Sequence, residues 1–313
     1  GLLPLDGSPY RTGRFPVSVV VSPDRRCIYV SNQGSASVSG FAIAADGRSL
    51  APLQGSPFAT GTYPDAVAVT PDGRFLFVSY EDAGEVETFH IDPETGALAA
   101  TGLRVRTGRH PISIGMAPNG RFAFVTNYDD DSVGAYAIDA ANGELAPVGA
   151  PMKTDTHPIY VAVSADSHLV YTANYGSTTV SAFTVDPAGG VLTPVPGSPF
   201  VAGAKPYSVT VDPAEKFLYV ANWAGHDVSV FELDRDNGVL AEVSGSPFKA
   251  GWYPYAVVVD PQDQYVYVAN NGAASISGYR IEERSGTLRP LDHSPFSAGA
   301  GPYSLTVVAG PGG

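Results

Sequence analysis

The sequence has little positive charge and no long apolar run, and each shortage excludes a class of protein. It contains 18 Lys and Arg residues against 31 Asp and Glu residues, which gives a formal net charge of −13. Nucleic acids and anionic membranes bind Lys/Arg patches, so neither is expected as a main partner. No apolar run reaches the roughly 18 residues that a spanning helix needs, so no membrane span is predicted.

Cysteine is almost absent, since Cys27 is the only one. An intrachain disulfide and a cysteine metal cluster are therefore excluded. Cys27 lies in the strand-like run Cys27-Ile28-Tyr29-Val30, which predicts a buried, unreactive thiol. The Gly-x-Ser-x-Gly elbow, the His-Glu-x-x-His zinc motif and the P-loop are also missing. The acidic run Asp129-Asp130-Asp131 lacks calcium-loop spacing, so neither a metal nor a cofactor is predicted.

What the sequence has instead is a repeat of about 47 residues. Six similar segments end at positions spaced by 48, 47, 47, 48 and 48, namely Asn32, Tyr80, Asn127, Asn174, Asn222 and Asn270. Each unit predicts four short strands: an apolar strand after a proline, a second ending in Tyr-Val-Ala-Asn, an alternating third, and a fourth before Gly-Ser-Pro-Phe. Four strands per repeat of this length are typical of an all-β propeller.

The strand count predicts how many blades there are. The first and fourth strands of the unit occur seven times each, whereas the second and third occur six times. This predicts one seven-bladed propeller domain over residues 1–313, in which an N-terminal strand at 1–5 and a C-terminal strand at 303–308 close the same blade. The two middle strands of that blade are expected upstream of Gly1, in roughly 30 further residues. A six-bladed ring with spare terminal strands is the alternative.

The Tyr-Val-Ala-Asn endings, with Pro-Asp-Gly before them and Gly-Ser-Pro-Phe after them, resemble the YVTN repeats of lactonase-type seven-bladed propellers. The resemblance covers essentially the whole chain. If the chain is an enzyme, the resemblance implies a lactonase-like hydrolase that hydrolyses or isomerises a small lactone or another cyclic anionic molecule at the channel mouth. The family also includes surface proteins without known activity, so a non-catalytic recognition propeller is the alternative. No catalytic motif of the family transfers residue by residue.

Propellers bind ligands at the mouth of the central channel, next to the start of the first strand and the end of the second. His110 and His157 occupy equivalent positions one repeat apart, so we expect them to be neighbours, one of them a general base towards water. Asp65 and Glu81 lie in the divergent second repeat and are further catalytic candidates. The candidate substrate-binding residues are Arg14, Arg109, Lys205, Tyr160, Tyr207, Trp223, Tyr255 and Tyr303.

Each candidate has a structural alternative. The histidines are polar rim residues in that case, the carboxylates are solvated, and the aromatic side chains pack loops. The repeated asparagines are expected to hydrogen-bond turn backbone. A small-molecule ligand and a protein partner both remain open. The compartment is not determined, although a periplasmic or secreted location is favoured because many similar repeat proteins are exported.

Overall fold

A computed structural model describes residues 2–309, which form antiparallel sheets with the strand order inner, second, third, outer. The first three sheets are A, with β1 (Pro16–Val21), β2 (Cys27–Asn32), β3 (Ser37–Ile43), β4 (Leu50–Pro52) and β5 (Phe58–Ala59); B, with β6 (Pro64–Val69), β7 (Phe75–Tyr80), β8 (Glu85–Ile91) and β9 (Leu98–Arg106); and C, with β10 (Pro111–Met116), β11 (Phe122–Asn127), β12 (Ser132–Ile138) and β13 (Leu145–Lys153).

The second half of the chain repeats this plan. Its sheets are D, with β14 (Pro158–Val163), β15 (Leu169–Asn174), β16 (Thr179–Val185), β17 (Leu192–Pro194) and β18 (Phe200–Val201); E, with β19 (Pro206–Val211), β20 (Phe217–Asn222), β21 (Asp227–Leu233), β22 (Leu240–Glu242) and β23 (Phe248–Lys249); and F, with β24 (Pro254–Val259), β25 (Tyr265–Asn270), β26 (Ser275–Ile281), β27 (Leu288–Pro290) and β28 (Phe296–Ser297). Single-turn 3-10 helices occur at Gln33–Ser35, Tyr128–Asp130 and Asn271–Ala273. No helix within 2–309 has the length and apolarity needed to cross a membrane.

The sheets are arranged as the blades of a propeller. Their inner strands β1, β6, β10, β14, β19 and β24 contact one another in chain order and line a central channel of about 410 Å³. Apolar side chains fill the space between neighbouring sheets, and the second strands contribute fully buried rings such as Tyr29 and Tyr171. The hydroxyl groups of these two tyrosines donate to the Gly96 and Gly238 carbonyls, 67 residues further on, and so join one sheet to the next. The all-β propeller prediction is confirmed.

The blade count differs from the seven-bladed prediction, because the described residues form six complete sheets, the alternative count. Residues 2–5 and 303–308 belong to no strand, although 303–307 line the channel. A complete sheet needs a second and a third strand, because these two join the inner strand to the outer one. The second and third strands occur six times, so six complete sheets form. Residues 1 and 310–313 lie outside the described part, so closure of one blade by 1–5 and 303–308 stays a prediction.

The repeated asparagines support the loop that leads into each inner strand. The buried Asn32 accepts a hydrogen bond from the Gly13 N–H at 3.0 Å and donates to the Ser39 hydroxyl at 3.0 Å. Asn222 and Asn270 make equivalent contacts with a glycine and a serine. These contacts confirm the expected backbone role and satisfy polar groups that burial would otherwise make costly.

The second repeat replaces this arrangement with another one. Tyr80 stands where the asparagine should be, and its hydroxyl group donates to the buried carboxylate of Glu87, which occupies the position of Ser39. The Arg104 guanidinium donates to the same carboxylate at 2.9 Å. Burying a carboxylate requires such partners. The divergence of this repeat at Tyr80 therefore has a structural explanation.

Candidate active site at the channel mouth

The same backbone conformation and hydrogen bond recur at each position around the rim of the channel mouth. The residue before each inner-strand proline has a left-handed φ between 51° and 61°, as found at Phe15, Tyr63, His110, His157, Lys205 and Tyr253. Its carbonyl accepts a hydrogen bond of 2.9–3.2 Å from the first residue after the second strand, namely Gln33, Glu81, Tyr128, Tyr175, Trp223 and Asn271. Bulky residues rarely adopt this conformation, and it persists only where the surroundings enforce it.

These two sets of side chains meet between neighbouring sheets. Glu81 of sheet B contacts His110 of sheet C, and Tyr128 of sheet C stacks on His157 of sheet D at 4.3 Å between ring centroids. The Lys205 ammonium lies 4.8 Å from the Tyr175 ring centroid, and in the next pair Trp223 stacks on Tyr253 at 4.6 Å. The rim is therefore a chain of paired side chains around the mouth.

A cluster of ionisable groups occupies the sheet B and C part of the rim. The His110 Nε2 contacts a Glu81 carboxylate oxygen, and its Nδ1 lies 3.2 Å from Asp129 Oδ2. The Gln33 amide donates to the other oxygen of Glu81 at 2.6 Å. Burial by itself lowers the pKa of His110, but the charge of Glu81 and the hydrogen bonds to both carboxylates raise it above the ordinary value. His110 is therefore favoured as an imidazolium that donates from both nitrogens, which leaves it no lone pair for a base.

Asp65 follows Pro64 and lines the channel beside this cluster. Burial raises the pKa of Asp65 to about 7, with a further increase from the negative charge of Glu81 and an opposing decrease from His110. A carboxyl group with such a pKa is ionised in about half of the molecules at neutral pH. Asp65 therefore has the properties of a general base or acid working near pH 7.

The two histidines lie in adjacent sheets but do not touch. The ring of Tyr128 lies between them, 5.4 Å from His110 and 4.3 Å from His157. The backbone N–H of His157 donates to Asp131 Oδ1 at 2.8 Å, which fixes the main chain at this position. The expectation that the histidines are neighbours holds for their place on the ring, whereas direct contact between them is absent.

Four predicted tyrosines line the same channel as Asp65. The hydroxyl groups of Tyr207 and Tyr303 lie 2.6 Å apart, and the Tyr255 ring lies within 4.7 Å of both rings. Tyr160 also lines the channel and is 39% exposed. Burial raises the pKa of Tyr303 to about 12, and the charge of Asp65 adds to that increase. The hydroxyl group of Tyr303 therefore stays protonated and can donate a hydrogen bond at neutral pH.

The three predicted cationic residues fall into two groups, Lys205 in one and the two arginines in the other. Lys205 lies over aromatic rings of the rim, 5.5 Å from the Trp223 centroid. The Arg109 guanidinium forms a salt bridge with Asp130 at 2.7 Å, and Arg14 donates to the Gly34 carbonyl at 2.8 Å. Neither arginine lines the channel. Both side chains are bound within their own rim loops.

Asp129 was missed as a site residue, because the acidic run suggested only a turn. The second position after the second strand holds Gly34, Gly176, Ala224 and Gly272 in four copies, whereas the second and third copies have Asp82 and Asp129. Both carboxylates occur in the two neighbouring repeats that supply Glu81 and His110, and this shared departure from a small residue was the available signal. No group of three or more His, Cys, Asp or Glu side chains in residues 2–309 is arranged to hold a metal ion.

Comparisons with known proteins agree with the propeller fold, although the matching family has seven blades and the described residues form six. The family model described as "Lactonase, 7-bladed beta-propeller" matches residues 5–111, 100–197 and 192–302. A candidate 6-phosphogluconolactonase from Bacteroides uniformis is 20% identical, with a TM-score of 0.79 over 91% of this chain and 86% of that chain. The periplasmic gluconolactonase of Pseudomonas aeruginosa is 20% identical, with a TM-score of 0.75 over the same shares. The sequence matches no curated protein.

Proposed function

We propose, since this chain belongs to the lactonase family of seven-bladed β-propellers, that it hydrolyses a small lactone at the mouth of its channel with Asp65 as the general base. Membership of the family supports a lactonase-type activity, whereas the substrate and the residue roles are our proposal. The single observation that carries it is the position of Asp65, a channel-lining carboxyl group with a pKa of about 7. Catalytic groups commonly have such perturbed pKa values.

The proposed reaction adds one water molecule across the ring ester bond. The ionised Asp65 carboxylate takes a proton from water, and the water oxygen attacks the lactone carbonyl carbon. The bond from that carbon to the ring oxygen then breaks. The leaving oxygen takes a proton back from Asp65, and the product is an open-chain hydroxy acid.

The neighbours of Asp65 suit the charges that develop during this reaction. Tyr207 and Tyr303 share one hydrogen bond between their hydroxyl groups, so one O–H remains free to donate to the carbonyl oxygen as it becomes negative. The His110 imidazolium stabilises the ionised form of Asp65 and adds positive charge to the mouth. Glu81, Asp129 and Gln33 position His110 through the contacts described above.

The distribution of charge favours an uncharged lactone over a phosphorylated one. The carboxylates of Glu81 and Asp129 contact His110 beside Asp65. Arg14 and Arg109 are bound by rim loops, and the Lys205 ammonium lies over the Tyr175 and Trp223 rings, so the described rim offers no cluster of free cations. Binding a phosphate requires free Lys or Arg groups or backbone N–H groups directed at it. The proposal therefore narrows the expected substrate from cyclic anions to neutral lactones.

A pH-stat assay tests the proposal with glucono-1,5-lactone, its 6-phosphate and aliphatic lactones. We expect acid release above the uncatalysed rate for the neutral lactone, and a loss of about 10²–10⁴-fold in Asp65→Asn, the typical contribution of a general base. Asp82→Asn, which removes an exposed carboxylate of the same rim, is the matched control and should retain the wild-type rate.

Two results would count against the proposal. Acid release that survives Asp65→Asn but disappears in His157→Ala would move the base to His157. If no lactone in the panel is hydrolysed, the recognition-propeller alternative replaces the proposed activity.

A further inference from the structure

A second exposed feature of the rim lies on sheets E and F, where Trp223, His226, Trp252 and Tyr253 form what we call the aromatic shelf. The Trp223 and Tyr253 rings stack with an interplanar angle of 20°, and the His226 and Trp252 rings are inclined by 19°. Trp252 is 66% exposed and Tyr253 is 37% exposed. Exposed apolar surface beside a channel mouth marks a binding site more often than a packing defect.

Polar donors border the flat faces of the shelf. The Tyr253 N–H donates to His226 Nδ1 at 3.2 Å, which places the proton of a neutral His226 on Nε2. The Nε2–H group of His226 makes no hydrogen bond among residues 2–309 and can donate to a ligand. The Lys205 ammonium, 5.5 Å from the Trp223 centroid, is a second donor beside the shelf.

The combination of flat apolar faces and bordering donors fits one class of ligand well. A pyranose ring presents a face of C–H groups, which packs on an aromatic ring, and equatorial hydroxyl groups around its edge, which accept hydrogen bonds from such donors. A phosphate would need a cluster of cations. A purely apolar ligand would leave the donors of His226 and Lys205 without partners. The shelf therefore matches an uncharged sugar.

Aromatic rings connect the shelf to the catalytic candidates. Trp223 lies 5.9 Å from Tyr175, and Tyr175 lies 5.8 Å from Tyr207, measured between ring centroids. Tyr207 in turn contacts Tyr303 beside Asp65. A ligand longer than one sugar ring can therefore follow a continuous surface from the reacting position to the shelf.

We propose that the aromatic shelf binds the non-lactone sugar residues of an uncharged oligosaccharide lactone. The proposal rests on the lactonase activity proposed above for its reacting end, and it adds a substrate class that is larger than a single sugar. A ligand that spans two subsites gains affinity at the second without new chemistry at the first.

Kinetics with two substrates test the substrate class. We expect kcat/KM for cellobiono-1,5-lactone to exceed that for glucono-1,5-lactone by about tenfold, the effect of one stacking contact of about 1.4 kcal/mol. Trp252→Ala should remove most of this ratio. Phe15→Ala, which removes an exposed aromatic ring from the sheet A side of the rim, is the control and should keep the wild-type ratio. A ratio near one in the wild-type protein, or a ratio unchanged in Trp252→Ala, would overturn the proposal.

Fluorescence tests the shelf separately from the reaction. The chain has two tryptophans, Trp223 and Trp252, and both lie on the shelf. Titration with cellobiitol, which has no lactone bond, should therefore change the tryptophan emission, and the change should shrink in Trp252→Phe. If neither lactone is hydrolysed but cellobiitol changes the emission, the sugar site is supported and the proposed lactonase activity is refuted. If cellobiitol leaves the emission unchanged, the sugar site itself is refuted.

Discussion

Replacing Asp65 with asparagine should make the protein more stable at alkaline pH while it removes activity. The carboxamide keeps the size and shape of the carboxyl group but cannot ionise. Asp65 lines the channel beside Tyr303, next to the negative charge of Glu81, and its pKa is raised from 3.8 to about 7. The folded protein therefore holds this proton more tightly than the unfolded chain does.

The sign of the effect follows from that difference. A raised pKa means that the stability contributed by the protonated group is fully present below pH 3.8 and is lost as the pH rises through about 7. One pKa unit corresponds to about 1.4 kcal/mol, which sets an upper limit of about 4 kcal/mol for the loss. Asp65 is only half-buried, so solvent screens part of its charge. We therefore expect the ionisation of Asp65 to lower the free energy of unfolding by about 2 kcal/mol between pH 4 and pH 8.

Urea unfolding at pH 4 and pH 8 measures this effect. Wild type and Asp65→Asn should have similar free energies of unfolding at pH 4, and the variant should be more stable by about 2 kcal/mol at pH 8. The same variant should lose lactone hydrolysis by about 10²–10⁴-fold. Stability gained where activity is lost is the pattern expected for a catalytic group.

Each half of this prediction can fail separately. A variant that shows no extra stability at pH 8 would mean that Asp65 is well solvated and that its pKa is not raised. A variant that gains stability but keeps its activity would leave Asp65 desolvated and exclude it as the base.

The other predictions also concern titrating carboxyl groups. Glu81→Gln should move the acidic limb of the pH profile of kcat/KM to lower pH, and His110→Gln should move it to higher pH, because Glu81 raises the pKa of Asp65 and His110 lowers it. A pH-stat series measures both shifts. Shifts of the same sign would show that this limb does not report Asp65. Burial also raises the pKa of Asp212 to about 6, although it accepts hydrogen bonds from two turn N–H groups. The wild-type free energy of unfolding should therefore fall as the pH rises from 4 to 8. In Asp212→Ser, which copies the turn residue Ser22, this fall should be smaller by about 1–2 kcal/mol in urea unfolding. An equal fall in both proteins would contradict the raised pKa of Asp212.

The sequence predicted the frame of the site because the repeat determines it. Inner strands begin at the prolines after which the repeat predicts an apolar strand, namely Pro16, Pro64, Pro111, Pro158, Pro206 and Pro254. Since neighbouring sheets are related by one repeat, the alignment also indicated which residues share the channel mouth. Asp65, Tyr207 and Tyr303 could be placed together from their positions in the repeat alone.

The contacts between individual side chains could not be predicted in the same way. Tyr128 and His157 are 29 residues apart, and their stacking depends on the left-handed backbone of His157 and the 3-10 turn at Tyr128–Asp130. The pairing of Arg109 with Asp130 depends on the same turn. Such contacts follow from loop geometry and side-chain rotamers, and the repeat pattern contains no signal for either.

The second repeat shows why divergence from a repeat is an ambiguous sign of function. At Tyr80 the lost asparagine is replaced by a hydroxyl–carboxylate–guanidinium contact with Glu87 and Arg104, in which each buried polar group has a partner. Asp65, in the same repeat, is desolvated beside Glu81 and carries a raised pKa, so its ionisation costs stability. A substitution that its neighbours compensate maintains the fold, whereas one left uncompensated needs another reason to persist. By this criterion Asp65, and not Tyr80, is the position in the second repeat that points to chemistry.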